Sequence, residues 1–313
     1  MNKTTNLQIH VYGPVPSRRL GFSLGVDIIP FKTCSLDCIY CQLGHTPKKT
    51  VRRREYFSSE EILAQIQKKI DSGEKIDFIT FSGSGEPTLN LALGKIIKEI
   101  KKMTRIPVAV LTNSTLLTRK SVRKALLASD LVIPSLDAAS QDIFLKVNRP
   151  HHSLKIKEIT ESIAEFKKDF KGEIWVEIML VRGVNDSPSH LKKLKELIKK
   201  IDPHKTQLNT VIRPPCEKYA FPLTLKEMEE VRNILGQSCE IIGTFRIGEQ
   251  KPSFKDLEGE IITMLKRRPM TLEDISISLG WERDKVLKSL LQLIRKGEIR
   301  KVIHKNTSYY EPS

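Results

Sequence analysis

At 313 residues, with 39% hydrophobic side chains, the chain is long enough for one large domain plus a small one and apolar enough for a substantial core. Five cysteines, a sparse and odd count, argue against a disulfide framework and suit a reducing cytoplasm, and no run approaches the ~20 apolar residues of a membrane span. The net charge of +16 attracts polyanions, but a Lys- and Glu-rich surface of a heat-adapted protein carries the same excess, and its even spread along the chain locates no binding face.

Residues 1–10 lack the apolar core of a leader peptide. Val15-Pro16-Ser17-Arg18-Arg19-Leu20-Gly21 reads as a loop, because Pro and Gly break regular structure. Residues 25–30 form a short apolar strand that delivers Thr33-Cys34-Ser35-Leu36-Asp37-Cys38-Ile39-Tyr40-Cys41-Gln42. A cationic run follows, with Lys48, Lys49, Arg52, Arg53 and Arg54. Ser58 and Glu61 then make a capping box that opens an amphipathic helix to about residue 70.

From there strand and helix alternate. Strands are expected at 78–82, 108–112, 131–136, 174–181 and 206–212, and helices at 91–102, 118–127, 153–170 and 224–235. A further helix is opened by Ser187 with Pro188 at its first position. Six short Val/Ile/Leu-rich strands separated by helices predict an α/β fold with a parallel sheet, wound by right-handed crossovers into a barrel or part of one. The cysteine stretch follows the first strand, so it lies at the C-terminal mouth, where such barrels place their chemistry. Residues 250–253 read as a linker. Beyond them come helices at 256–267, 271–280 and 282–296, then a hairpin near 299–303 and 308–310. Three helices and a hairpin read as a winged helix, so the domains are expected at 1–250 and 254–313.

Cys34, Cys38 and Cys41 are spaced C-x3-C-x2-C. Three thiolates on one short loop converge on a soft metal centre at little entropic cost. His45, four residues on, makes a Cys3His zinc site the competing reading. The cysteine spacing, with the aromatic Tyr40 before the third cysteine, resembles the radical SAM superfamily. The longer run VPSRRLGFSLGVDIIPFKTCSLDCIYCQLG resembles its wyosine-synthase-like Fe–S oxidoreductase subgroup. The resemblance implies a partial (β/α)6 TIM-like barrel. It also implies a [4Fe–4S] cluster held by the three cysteines, with S-adenosylmethionine on the fourth iron, cleaved reductively to a 5′-deoxyadenosyl radical. One departure stands out: wyosine-base synthases use upstream cysteines for a second cluster, and here none precedes Cys34.

The same resemblance assigns further residues. Ser82-Gly83-Ser84-Gly85-Glu86-Pro87 is similar to the family's Gly-Gly-Glu turn, which makes Gly85 and Glu86 receivers of the methionine amino group; an ordinary β–α turn has the same composition. Ser135 and Asp137, with Asn113 as a weaker counterpart, are candidates for the ribose or carboxylate of the cofactor, against the simpler reading of helix caps. Tyr40 would shield the cluster and cover the adenine, or pack in the core. Glu177 alternates with apolar residues on its strand, so it points into the barrel as a substrate-pocket candidate. Arg18 and Arg19, with Arg52, Arg53 and Arg54, would rim one opening for a phosphate-bearing substrate, or form solvated charge runs. Arg283 and Lys285, with Lys288, Lys301, His304 and Lys305, give the winged helix a basic face for nucleic acid, diluted by Glu282 and Asp284. Cys216 and Cys239 read as ordinary unliganded cysteines.

These readings favour a monomeric radical SAM enzyme that modifies RNA, with a tRNA base as the expected target, served by a one-electron donor such as flavodoxin or ferredoxin. A peptide- or protein-modifying radical SAM enzyme, and a zinc-stabilised nucleic-acid-binding regulator, are the alternatives.

Overall fold

The computed structural model describes residues 9–242, 257–304 and 306–313. The chain opens on a hairpin, β1 (Val11–Ser17) and β2 (Gly21–Val26). There follow α1 (Ser59–Asp71), β3 (Phe78–Phe81), α2 (Leu93–Met103), β4 (Val108–Thr112), α3 (Lys120–Leu126), β5 (Leu131–Pro134), α4 (Gln141–Val147), α5 (Ile156–Asp169), β6 (Glu173–Leu180), α6 (Pro188–Ile201), β7 (Lys205–Thr210), α7 (Leu225–Leu235) and β8 (Cys239–Ile241). These eight strands form one sheet in chain order. β1 pairs antiparallel with β2, and every later neighbour pairs parallel. Sequential parallel order puts the helices on one face and curls the sheet toward the other.

Side-chain alternation sorts the two faces. Val132 of β5 and Ile174, Val176, Ile178 and Leu180 of β6 join the main core against the helices. Their neighbours Leu131, Ile133 and Trp175 turn the other way and, with Ala109 of β4 and Leu20 of the β1–β2 turn, form a small apolar floor on the inner face. Helix starts follow their local signals. The Ser58, Ser187 and Thr224 side chains accept from the backbone N–H groups of Glu61, His190 and Glu227 at the starts of α1, α6 and α7.

The six strands expected from the sequence correspond to β2–β7, with three corrections. The stretch 15–21 is not all loop: Val15, Pro16 and Ser17 belong to β1, an edge strand, where a residue without an N–H is tolerated and a bulge between Tyr12 and Val15 absorbs the irregularity. The first strand ends at Val26 rather than residue 30, because the Asp27 carboxylate accepts the Ile29 N–H and turns the chain out of the sheet. Two short elements, α4 and β8, carry too few residues to show a period and were not anticipated.

The C-terminal segment contains α8 (Leu257–Leu265), α9 (Leu272–Leu279), α10 (Arg283–Arg295) and the antiparallel pair β9 (Ile299–His304) and β10 (Thr307–Pro312). Three helices and a hairpin are present as expected. The linker at 250–253, both proposed domain limits and Lys305 lie outside the described residues. Ile261, Met264, Leu265, Ile275, Leu279, Val286, Leu290 and Leu293 make a second core that takes in Tyr12 and Val15 of β1. The C-terminal unit therefore packs on the β1 edge of the sheet. It also reaches the other side, where the Tyr309 hydroxyl donates to the Ile212 carbonyl just past β7 at 2.7 Å.

Candidate active site

The cysteine loop leaves the C-terminal end of β2 and is pinned by backbone bonds on several sides. Lys32 N–H donates to Ser84 O at 2.7 Å, Glu86 N–H to Thr33 O at 3.0 Å and Thr50 N–H to Cys34 O at 2.9 Å. Asp37 N–H donates to Asn148 O at 3.0 Å, and Ile39 N–H to Val147 O at 3.0 Å. Each of the three sulfurs then receives one nitrogen donor. Lys32 Nζ lies 3.2 Å from Cys41 Sγ, Asn113 Nδ2 3.4 Å from Cys34 Sγ, and Asn148 Nδ2 3.4 Å from Cys38 Sγ. Donors aimed at sulfur stabilise thiolate, and they tune Fe–S centres in this way. Burial, then the charge of Glu86, pushes the Cys34 thiol up to about 12; burial and the charge of Asp137 push Cys38 well up. Protonated thiols in such a site are the state that a bound metal centre converts to thiolate. The donor set therefore fits an iron–sulfur cluster. The Cys3His zinc arrangement does not form. The exposed His45 ring turns to Asp37 (Nδ1 at 3.5 Å) and Glu217 (Nε2 at 3.7 Å).

The turn after β3 packs directly on this loop. A Cβ at Gly85 would stand 2.1 Å from the Thr33 carbonyl, and Gly83 sits at φ +146° against the Asp27 carboxyl, so both positions exclude a side chain. Ser84 departs from the glycine of the family turn and has its own partner: its hydroxyl and N–H both donate to Asp27 Oδ2. Glu86 is buried, which raises its pKa, while bonds from Thr88, Asn113 and Thr112 oppose that rise. Oε1 accepts the Thr88 N–H and the Thr88 and Thr112 hydroxyls; among the described residues Oε2 accepts only the Asn113 N–H, at 2.7 Å, and keeps capacity for a further donor.

Asp137, just beyond β5, centres a third group. Its Oδ2 accepts the Tyr40 hydroxyl and Asn148 Nδ2, and Oδ1 accepts the Met179 N–H at 2.9 Å. Burial pushes it up to about 6 against those bonds. Tyr40 is thus fixed between two cysteines by Asp137, and Asn148 links Asp137 to Cys38. Asn113 connects Glu86, Ser35 and Cys34. Ser135 is held through its backbone, its carbonyl accepting the Ser114 hydroxyl at 2.7 Å. Tyr40, Gly85, Glu86, Asn113, Ser135, Asp137 and the three cysteines therefore belong to one connected region at the C-terminal ends of β2–β5.

Glu177 does face inward. Arg19 Nη1 lies 2.8 Å from its Oε1, Asn209 Nδ2 donates to the same oxygen at 3.0 Å, and Arg18 Nη1 donates to Asn209 Oδ1 at 3.2 Å. Burial, the largest single influence, would raise the Glu177 pKa, but the charge and hydrogen bond of Arg19, the Asn209 bond and the charge of Arg18 together hold the group low. Arg18 and Arg19 correct the expected common rim. Ser17 pairs with Gly21, so they sit at the N-terminal end of β2, opposite the cysteine loop, and reach onto the inner face. Arg53 is also no free rim cation: its Nε and Nη2 donate to the Thr88 and Asn90 carbonyls at 2.8 and 3.0 Å. Arg52 and Arg54 are exposed. Arg283 and Lys285 are exposed in the first turn of α10, with Lys285 Nζ 3.3 Å over the Trp281 ring centroid.

Lys32, Asn148 and Asp27 were missed in the sequence; each is a lone polar residue outside any motif, and the partners of Asn148 and Asp27 in Cys38 and Ser84 lie 110 and 57 residues away. Asp37, His45 and Cys216 also place ligand atoms within 4.8 Å of one another. Arg149 is already paired with Asp37 (3.0 Å) and with Glu217 and lies 3.7 Å from Cys216 Sγ, so its guanidinium occupies the charge a cation would need. Cys239 is buried in the main core.

Comparison with known proteins agrees with this geometry. The Radical SAM superfamily model matches residues 28–198. A Brachyspira hyodysenteriae protein named GTPase Obg is 39% identical over 296 residues, which are 94% of this chain but 44% of that protein, so the chain spans less than half its length. A UPF0026 protein of Methanocaldococcus jannaschii is 38% identical over 90% of this chain and 85% of its own. A probable dual-specificity RNA methyltransferase RlmN of Thermotoga neapolitana is 30% identical over 177 residues, 53% of this chain and 49% of that protein. Among solved structures, a radical SAM methyltransferase from Sphaerobacter thermophilus shares the fold, with a TM-score of 0.51 at 17% identity over 70% of this chain and 65% of that one. The matched family spans the cysteine loop and the strands that carry the surrounding network, and the chain belongs to the radical SAM superfamily, enzymes that bind a [4Fe–4S] cluster and S-adenosylmethionine.

Proposed function

We propose that Cys34, Cys38 and Cys41 hold the [4Fe–4S] cluster and that the enzyme modifies RNA, with a tRNA base as the favoured target. The observation that carries the cluster assignment is the separate nitrogen donor reaching each of the three sulfurs. When bound, the cluster supplies one electron to the sulfonium of S-adenosylmethionine, giving methionine and a 5′-deoxyadenosyl radical; the chemistry belongs to the cofactor. The chain's own residues position and shield it. Gly85 admits close backbone approach, and Glu86 Oε2 and the Ser135 hydroxyl offer contacts to the amino acid and ribose portions. Asp137 acts mainly through others, holding Tyr40 and Asn148 in place beside Cys38. Asn113 joins the cofactor turn to the cysteine loop.

RNA as substrate is supported by the similarity to an RNA methyltransferase, by the net charge of +16, and by a C-terminal unit with exposed Arg283 and Lys285. We read that unit, 254–313, as a winged helix appended to a partial barrel of 1–250. The sequence resemblance to wyosine-synthase-like proteins points to the same substrate class, and a low-potential donor such as flavodoxin or ferredoxin would deliver the electron. Two measurements test this reading. Anaerobically reconstituted protein with a competent reductant should release 5′-deoxyadenosine; none released would remove the catalytic assignment. tRNA nucleosides from cells with and without the gene should differ by one modification, and identical profiles would remove tRNA as the substrate.

A further inference from the structure

The sheet is open between β1 and β8 among the described residues, and the C-terminal unit spans that opening. It packs on β1 through Tyr12 and Val15 and meets the end of β7 through the Tyr309 hydroxyl on Ile212 O. Arg213, the next residue, lies in this seam. Its Nε is buried without a hydrogen-bond partner, and its side chain forms no ion pair among the described residues. The charges around it are mostly of its own sign: Arg268, between α8 and α9, and Arg18, from the β1–β2 turn, with Asp274 opposing.

Arg18, bonded to Asn209 of β7, and Arg268, two residues before Met270 whose backbone pairs with Tyr310 beside Tyr309, border the same seam as Arg213, and with Arg19 they set four arginines against two carboxylates. One of these, Glu177, is already engaged by Arg19 and Asn209. Burial, and after it the charges of Arg268 and Arg18, push Arg213 down to about 9; burial, and after it Arg19, push Arg18 down to about 10. Both remain cationic at neutral pH. A half-buried set of cations without matching anions is unfavourable in isolation and calls for a counter-ion. Planar guanidinium groups presented by different elements along one seam match the oxygens of a phosphate.

We propose that this seam is a phosphate-binding site, in which Arg18 of the β1–β2 turn, Arg213 just past β7 and Arg268 of the C-terminal unit hold one phosphate jointly. Assigning that phosphate to a polynucleotide backbone rests on the RNA reading above; a small phosphate ester is the other source of the same chemistry.

The test uses the full-length, anaerobically reconstituted protein with inorganic phosphate as the probe, by calorimetric titration and thermal unfolding. Phosphate should bind and raise the unfolding temperature. Arg213→Gln and Arg268→Gln should each weaken binding by roughly tenfold or more, the loss of about one charge-assisted hydrogen bond. Without phosphate, Arg213→Gln should unfold no earlier than the parent, since it removes an unpaired buried charge; a merely structural arginine would give a less stable protein. No phosphate binding by the parent, or unchanged affinity in both variants, overturns the site. Unmodified tRNA that displaces phosphate and loses affinity in the same variants identifies the source as a polynucleotide. Phosphate binding that tRNA does not displace supports the site while counting against the RNA reading.

Discussion

Arg267→Leu leaves Asp27 as a buried carboxylate without its counter-ion. The two side chains are 12% and 6% exposed, and Arg267 Nε lies 3.2 Å from Asp27 Oδ2. Removing one partner of a buried pair costs ~3–5 kcal/mol. Asp27 keeps its bonds from Ser84 and Ile29, so the lower end, ~3 kcal/mol, is expected, with ~1 kcal/mol more from the lost Arg267 Nη2 bond to Ile9 O. The sign of the pH dependence follows from the environment. Burial already raises the Asp27 pKa, and Ser84 and Arg267 oppose it; without Arg267 it rises further. A raised folded-state pKa penalises folding only where the group is ionised, so the penalty is absent below the unfolded value and grows as pH climbs through the folded one. Urea unfolding of the apo-protein should therefore show the full deficit at pH 7.5 and a smaller one at the lowest pH where both proteins fold. Asp27→Asn in the Arg267→Leu background should restore most of the loss, since a neutral amide needs no counter-ion. An equal deficit at both pH values, or no rescue, would refute the account.

Two further outcomes bear on the site. Cys34→Ser, Cys38→Ser and Cys41→Ser should each lose the iron and sulfide of the reconstituted protein, while Cys216→Ser and Cys239→Ser should retain both; iron content independent of the first three would overturn the ligand assignment. Gly85→Ala places a methyl group 2.1 Å from the Thr33 carbonyl oxygen, a backbone atom that cannot swing aside, and should destabilise the protein by roughly 1–3 kcal/mol with a loss of iron loading. A variant with parental unfolding and loading would show that the two loops are not in rigid contact.

Local signals were legible without coordinates. The caps at Ser58 and Ser187, the alternation of strand and helix from β3 to α7, the three C-terminal helices and the cysteine spacing all lie within a few residues of chain, where steric preference and hydrogen bonding to near neighbours decide the outcome. Tertiary structure alone decided the rest. Asn113 and Asn148 meet sulfurs 79 and 110 residues away, and Arg18 reaches Asn209 across 191 residues. No period or motif encodes such a pair, because it exists only once the sheet has curled. The same closure turned Arg18 and Arg19 from an expected outer rim onto the inner face, and set Arg213 at a seam against the C-terminal unit, a part of the chain with which it shares no pattern.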